Sequence, residues 1–429
     1  MYKTSIRRGH SLFALLSGFF FLFFFSSSVL ASPEELEAVR QQVRNKGARW
    51  QADETSISKL PAEQRLMRLG FRKESFSVPE GAAVLSATPA AGTTMPTALN
   101  YNNDSYVTQI RDQGNCGSCW AFATTAALES QYLMSTKGVG WSTLDLSEQI
   151  LLSCSNAGNC SDGGYIDLAS DFIQSTGLPP ASCYAYTEAD WTSGPDSPCS
   201  GAACTYWQSD TYSIKGWKWV ATNSPTADIL KSTLNTYGPL VTSMNIYADF
   251  YYYKEGVYSY SYGSYQGAHI IEIIGYDDNE NCFIVKNSWG DGWGESEPGS
   301  VTARGFFRID YDQIDKIVQF GYYTAAYEGY KGAQNDCAYS LSPESVSVAY
   351  SGGYAYVTVS SQPGCSWKAV SNVNWIKAVS GAKGTGEGTL RYYVSANSTS
   401  YSRTGALTIA GQTFTVTQAV KRHSFRRWW

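Results

Sequence analysis

Gln113-Gly114-Asn115-Cys116-Gly117-Ser118-Cys119-Trp120-Ala121-Phe122 sets two glycines and two cysteines ahead of a tryptophan and an alanine-rich run that continues to Ala127. The order predicts a tight polar turn opening into a helix, with Cys119 in the first turn. A thiol there feels the positive end of the helix dipole, which favours thiolate over thiol. A thiolate is a nucleophile at neutral pH, whereas a buried thiol is packing material. The expectation is an activated cysteine whose partners lie elsewhere in the chain.

The first partner is a base. The sequence holds three histidines, of which His10 lies in an apolar leader and His423 in the tail. His269 is left, flanked by Ile270, Ile271, Ile273 and Ile274. A lone histidine in such company usually belongs to a core, but here it is the sole base available to the cysteine. A cysteine–histidine pair works best when a third group orients the imidazole. Asn287, in Ile284-Val285-Lys286-Asn287-Ser288-Trp289-Gly290, is placed for this at the end of an apolar strand, with Trp289 as a shield against water. The side-chain amide of Gln113 and the backbone N–H of Cys119 are candidate donors to a developing oxyanion. Two rival readings of Cys116-Gly117-Ser118-Cys119 are a thioredoxin-like redox pair and half of a zinc site. The first lacks a preceding strand in a small βαβ unit. The second lacks a matching pair, because Cys154 and Cys160, or Cys199 and Cys204, are too widely spaced. Neither metal nor organic cofactor is expected.

At 429 residues the chain is long enough for two or three domains. Its net charge of −5 and lack of a sustained basic stripe argue against nucleic acid as a partner. Lys3, Arg7 and Arg8 precede an apolar stretch from Leu12 to Phe25, closed by Val29-Leu30-Ala31. That is the pattern of a secretory signal peptide over 1–31, too short in its apolar part for a membrane anchor. Export to the periplasm or the medium puts the ten cysteines in an oxidising space. Residues 33 to about 73 are charged and helix-forming, with Leu36, Val39 and Val43 at helical spacing and a second short helix near Leu66, Met67 and Leu69. Ser75 to Pro96 reads as an exposed linker. Helices then precede strands: Ala126–Met134, a start at Ser147-Glu148-Gln149, and Asp167–Gln174, followed by Leu240–Ile246, His269–Tyr276, Cys282–Lys286 and Gly305–Ile309. This order argues for an α+β domain in two lobes. Beyond Cys337, short alternating runs such as Ser345–Val348, Tyr354–Val359, Leu390–Val394, Gly405–Ile409 and Thr413–Val416 predict an all-β sandwich. Residues 421–429 form a basic, aromatic tail.

Gln113–Phe122, Cys160-Ser161-Asp162-Gly163-Gly164, Ala268-His269 and Asn287-Ser288-Trp289-Gly290-Asp291-Gly292-Trp293-Gly294-Glu295 resemble, in order and spacing, the signature blocks of papain-like cysteine proteases. The resemblance implies a two-lobed papain-like fold, helical lobe plus β-barrel-like lobe, over 95–332, and the activity of a thiol-dependent peptidase. It implies Cys119 as nucleophile, His269 as general acid–base, Asn287 as imidazole orienter and Gln113 as oxyanion donor. Gly163 and Gly164 would pair with the substrate backbone, with Tyr165 and Ile166 beginning the apolar specificity pocket and Ala268 and Trp289 beside the histidine. Residues 32–94 would be a pro-segment and linker, similar to the family's shorter kind at Ala48-Arg49-Trp50-Gln51-Ala52, lying through the cleft as an inhibitor. On the residues alone, an interaction region that stays attached fits equally well. The resemblance also implies a Cys116–Cys160 bridge, with Cys154, Cys183, Cys199 and Cys204 forming two more of undetermined pairing and Cys282 a buried thiol. Cys337 and Cys365 are left open. Three departures stand out: Tyr101 where the family usually has Trp, Ala268 where Asp or Asn is common before the histidine, and an insertion over Ser296 to Arg304.

Residues 338–420 resemble BACON-type β-sandwich modules at Gly364-Cys365-Ser366-Trp367, Trp375-Ile376, Gly384-Thr385-Gly386-Glu387-Gly388, Asn397, Arg403-Thr404-Gly405 and Val416-Thr417-Gln418. Such a module is an immunoglobulin-like sandwich that implies a carbohydrate or mucin-like partner; the plainer expectation is that Trp367 and Trp375 are core residues and the module is a spacer. The pairing of modules points to a bacterial host. Taken together, these readings predict a secreted endopeptidase made as a zymogen and acting on protein or peptide substrates, with no membrane span once the signal is removed. Two alternatives are a vestigial adhesive or carbohydrate-binding protein, and a transpeptidase using the same acyl-enzyme.

Overall fold

The computed structural model describes residues 33–73, 76–78, 84–85, 95–189, 199, 204, 207–209, 211–296, 304–333, 339–361 and 366–421. The signal peptide, the body of the 296–304 insertion, Cys337, Cys365 and residues 422–429 of the tail lie outside them. The chain opens with α1 (Pro33–Asn45), β1 (Arg49–Ala52), α2 (Ala62–Leu66) and β2 (Ala98–Asn100). A largely helical part follows, with α3 (Cys119–Ser135), α4 (Glu148–Cys154), the two-residue strands β3 (Gly158–Asn159) and β4 (Gly163–Gly164), α5 (Ile166–Ser175) and β5 (Tyr212–Ile214). Then come β6 (Trp217–Ala221), α6 (Ala227–Tyr237), β7 (Leu240–Tyr247), β8 (Tyr253–Tyr258), β9 (Tyr265–Asp277), β10 (Cys282–Lys286), β11 (Glu295–Ser296), β12 (Arg304–Asp310), β13 (Tyr322–Tyr327) and β14 (Tyr330–Ala333).

α3 is buried on all sides over most of its length, as expected of a helix apolar all round. It shares one core with Ile150, Leu151, Leu152, Ile166 and Ile173 from α4 and α5. A second core forms around the main sheet, whose strand order is β1-β8-β12-β10-β9-β7-β13-β6, with β2 on β9 and β11 on β12. Two cores meeting along β9 make the α+β, two-lobed architecture. Local signals account for several boundaries. Ser147 caps α4 by accepting from the Ile150 N–H at 3.2 Å, and Thr226 does the same for α6 from Ile229. Gly238, at φ 89°, ends α6 in a backbone conformation that glycine tolerates.

The amino-terminal segment is built onto this body. Leu36, Val39 and Val43 form the buried stripe of α1. β1, where the sequence predicts no strand, pairs antiparallel with β8, and Trp50 sits opposite Gly256. The Trp50 indole N–H donates to the Ser259 carbonyl at 2.9 Å, and its ring lies 5.3 Å from that of Tyr258. Four residues become a strand here only because a partner distant in sequence supplies the ladder. The expected exposed linker also differs from what is found: the Phe76 ring packs 5.0 Å from Tyr323, and the Leu85 N–H donates to the Trp219 carbonyl at 2.8 Å. Apolar residues thinly scattered among Gly, Ser and Ala find apolar surface to cover.

Residues 340–418 fold as two sheets, of four and five strands, around their own core of Val357, Val359, Leu390, Tyr392, Leu407 and Phe414 among others. Trp367 is buried in that core and its N–H donates to the Gly386 carbonyl at 2.9 Å. Trp375 is only partly buried, with Arg403 stacked 4.3 Å from its ring.

Candidate active site

Cys119 opens α3 and is fully buried. Ser118 occupies the N-cap but makes no cap hydrogen bond, because its hydroxyl is engaged with Tyr186 at 2.7 Å. The Cys119 and Trp120 N–H groups face the sulfur, while those of Ala121 and Phe122 donate to the Ser118 carbonyl at 2.8 and 3.1 Å. The Ile270 N–H also points at Sγ, at 3.4 Å. Even so, burial pushes the thiol up to about 11; the N–H groups of Ile270, Gly70, Trp120 and Cys119 act the other way without offsetting it. Burial thus works against the thiolate that the helix dipole favours.

His269 lies on β9, opposite Met244 of β7. The register of β10 against β9 sets Lys286 opposite Glu272, so Asn287 leaves the ladder on the His269 side. His269 Nε2 and Asn287 Oδ1 are 2.8 Å apart. The Ser288 N–H donates to the same Oδ1 at 2.8 Å, which fixes the amide with its oxygen toward the ring. Nε2 must then carry the proton, leaving Nδ1 as the basic atom. Nδ1 has no hydrogen-bond partner of good geometry among the described residues. Burial lowers His269 to about 4, opposed by the Asn287 hydrogen bond and reinforced by the Arg68 charge. The Trp289 ring is fully buried 4.9 Å from the imidazole and packs on Phe250, Tyr251 and Trp293.

Gln113 is fully buried. Its Oε1 accepts from the Ser288 hydroxyl at 2.7 Å, and its Nε2 donates to the Cys116 carbonyl at 2.8 Å and to the Arg68 carbonyl at 3.1 Å. Its own carbonyl accepts from Tyr186 at 2.7 Å. Ser288 thus braces both Gln113 and Asn287, while Tyr186 ties Gln113 to the residue before Cys119. Sequence reasoning missed both, and only the adjacency of Ser288 to Asn287 hinted at the first.

The cleft between these residues is filled by Arg68-Leu69-Gly70-Phe71. The Gly164 N–H donates to the Gly70 carbonyl at 2.8 Å, and the Phe71 N–H to the Ala268 carbonyl at 3.2 Å. Phe71 and Gly164 form a parallel bridge. A methyl group on Gly70 would lie 1.9 Å from the Gly117 carbonyl oxygen, so only glycine passes the cysteine loop. One on Gly163, which holds φ at 78°, would lie 2.2 Å from the Gly70 oxygen. The Phe71 ring is buried 5.5 Å from Tyr323 and 5.9 Å from Phe76, and Phe76 stacks on Tyr165 at 5.7 Å and meets Trp219 at the same distance. Ile166 lies in the same core as Phe71. Trp219 and Tyr323, on β6 and β13, join this aromatic pocket unannounced by any motif. Ion pairs flank the passage: Arg68 to Asp112 at 2.6 Å and Arg72 to Asp162 at 2.9 Å.

Cys116 is bonded to Cys160, Cys154 to Cys199, and Cys183 to Cys204. Cys282 is a buried free thiol on β10. Tyr101 is buried and donates to the Leu234 carbonyl at 2.7 Å. Among the described residues no group of His, Cys, Asp and Glu is arranged to hold a metal, and no helix is long and apolar enough to cross a membrane.

Comparison with known proteins matches residues 95–317 to the family model described as papain family cysteine protease, and residues 366–419 to the BACON model. Cathepsin B-like CP3 of Giardia intestinalis is 28% identical over 298 residues, covering 67% of this chain and 93% of that protein. A gut-specific cysteine proteinase of Caenorhabditis elegans is 33% identical over 246 residues, 54% of this chain and 71% of its own. Among solved structures, proCathepsin B S9 from Trypanosoma congolense superposes with a TM-score of 0.53 at 19% identity, over 71% of this chain and 98% of that one. Procathepsin L2 from Tenebrio molitor larval midgut gives 0.53 at 23% identity, over 68% and 89%.

Proposed function

The chain belongs to the papain family of cysteine proteases, and from that premise we propose that it is a secreted endopeptidase, made as a zymogen, in which Cys119, His269, Asn287 and Gln113 carry the chemistry. The observation that carries this reading is the 2.8 Å contact of His269 Nε2 with an amide oxygen whose orientation Ser288 fixes, on a strand whose next N–H reaches the Cys119 sulfur. That tautomer leaves Nδ1 free to take the thiol proton. The thiolate attacks the scissile carbonyl, Gln113 Nε2 and the Cys119 N–H receive the oxyanion, and the imidazolium returns its proton to the leaving amine. Water, deprotonated by the same Nδ1, then hydrolyses the thioester.

Residues 33–73 are the inhibitory pro-segment, and the Arg68 carbonyl on Gln113 Nε2 occupies a donor that the oxyanion needs. The aromatic pocket that holds Phe71 favours substrates with an apolar or aromatic side chain next to the cleaved residue. Endopeptidase is preferred over exopeptidase because the sequence has no further histidine pair to hold a chain terminus. The carboxy-terminal module serves as a spacer or binds carbohydrate or a mucin-like surface. The test is to remove the pro-segment from the full chain and titrate it with a thiolate-directed epoxide. Stoichiometric labelling at Cys119, lost in Cys119→Ala together with amide hydrolysis, is expected; an unlabelled, inactive chain sinks the reading in favour of a vestigial binding protein.

A further inference from the structure

Beside Asn287 lies a small cavity of about 20 Å³ lined by Glu272, Lys286, Asn287, Glu129, Glu148 and Arg111 together with apolar residues of α3 and β9. Three of its polar atoms have no hydrogen-bond partner among the described residues: Asn287 Nδ2, Glu272 Oε2 and Arg111 Nε. Asn287 Oδ1 serves His269 and Ser288, while Glu272 Oε1 accepts from the Ser130 hydroxyl at 2.9 Å. Nearby, Glu129 Oε1 accepts from the Leu146 N–H at 2.8 Å, and Lys286 Nζ donates to Thr108 at 2.8 Å. Arg111 is paired with Asp145 at 3.0 Å.

Buried polar groups left without partners are rare, and a space of about 10–15 Å³ with two or more polar partners suffices for one water. The cavity offers that volume and a donor and an acceptor that no other described residue satisfies. We propose that it holds a single water that accepts from Asn287 Nδ2 and donates to Glu272 Oε2, making Glu272 a positioning residue for the asparagine that orients His269. This rests on the role given to Asn287 above. The register supports it: Glu272 stands opposite Lys286, the last strand residue before Asn287. The asparagine amide is then held from both ends, its oxygen by Ser288 and its nitrogen through the water, so it cannot flip and present nitrogen to the imidazole.

Two measurements test this. A crystal structure of the full chain should show one water within hydrogen-bond distance of both Asn287 Nδ2 and Glu272 Oε2; an empty cavity, or a water that misses either atom, overturns the proposal. In the processed chain, Glu272→Leu removes the acceptor and should lower kcat roughly tenfold, the equivalent of one hydrogen bond, with KM unchanged. Glu272→Gln keeps an acceptor and should recover most of that loss. A purely structural Glu272 would instead lower the unfolding midpoint in both variants without separating kcat from KM, and that result also overturns the proposal. A processed wild-type chain that takes no thiol label would refute the active-site reading itself, while the crystallographic water would still decide the cavity.

Discussion

Asn287 is held more firmly than the residue it serves. Its oxygen takes two hydrogen bonds at 2.8 Å each, whereas among the described residues His269 has one partner of good geometry, at Nε2, and none at Nδ1. Asn287→Ala should cut kcat/KM of the processed enzyme on the order of 100-fold, the scale of a misdirected acid–base residue; a loss under threefold would remove Asn287 from the machinery. Protonation makes a second prediction. With the pro-segment seated, the thiol is pushed up to about 11 and the imidazole down to about 4, so at pH 7 both are neutral. A thiol ionises as pH rises through its pKa, so alkylation of Cys119 by iodoacetamide in the unprocessed chain should be slow at pH 7 and climb steadily toward pH 11. Removing residues 33–73 returns water to the pair and should make labelling fast near neutrality. Equal rates in the two forms at pH 7 would contradict this. The sequence made these residues legible because the chemistry permits few substitutes: one usable histidine, one asparagine after the right strand, one cysteine at a helix start. Ser288, Tyr186 and Glu272 were illegible because a hydroxyl or carboxylate acquires such a role only from the neighbours the fold provides.

At the level of elements, what could be read from the sequence divided along the range of the interactions. α1 followed from three apolar residues at helical spacing, α4 from the Ser147 cap, and β10 from an apolar run ending in Lys286. β1 did not, because Arg-Trp-Gln-Ala has no strand pattern of its own and takes its conformation from β8. The passage through the cleft was legible as an expectation of a blocking segment but not in its detail, since Arg-Leu-Gly-Phe carries no periodicity. Its critical element is Gly70, where any side chain meets the Gly117 carbonyl. Gly70→Ala should unseat the passage at a cost of roughly 1–3 kcal/mol, the range for overpacking. That corresponds to a roughly 5- to 150-fold faster thiol labelling of the unprocessed chain at pH 7. Labelling as slow as wild type would mean that the segment blocks the cleft by some other contact. The flanking ion pairs differ: Asp162 is mostly exposed, and such a surface pair contributes about 0–1 kcal/mol, whereas Arg68 is buried against a half-exposed Asp112.

For the whole molecule, the arrangement is one of separate cores. The core of the sandwich draws only on residues from Tyr339 to Val416, and the cores of the peptidase on residues up to Tyr330. Domains with cores of their own unfold as cooperative units. A chain ending at Ala333 should therefore keep both the unfolding midpoint of the peptidase and its rate of Cys119 labelling, and should lose one calorimetric transition; a drop in the remaining midpoint would reveal coupling between the units. Within the peptidase, β1 has a consequence of another kind. It is the outermost strand of the main sheet, and it lies in the segment that the proposed processing would remove. Its departure would uncover the groups of β8 that face β1 between Tyr253 and Val257, turning an interior strand into an open edge that carries the charges of Lys254 and Glu255. Activation by the proposed cut would thus cost the enzyme a sealed flank: the same cut that frees the cleft would leave a row of unpaired amides and carbonyls, and with it a solubility hazard that the precursor keeps covered.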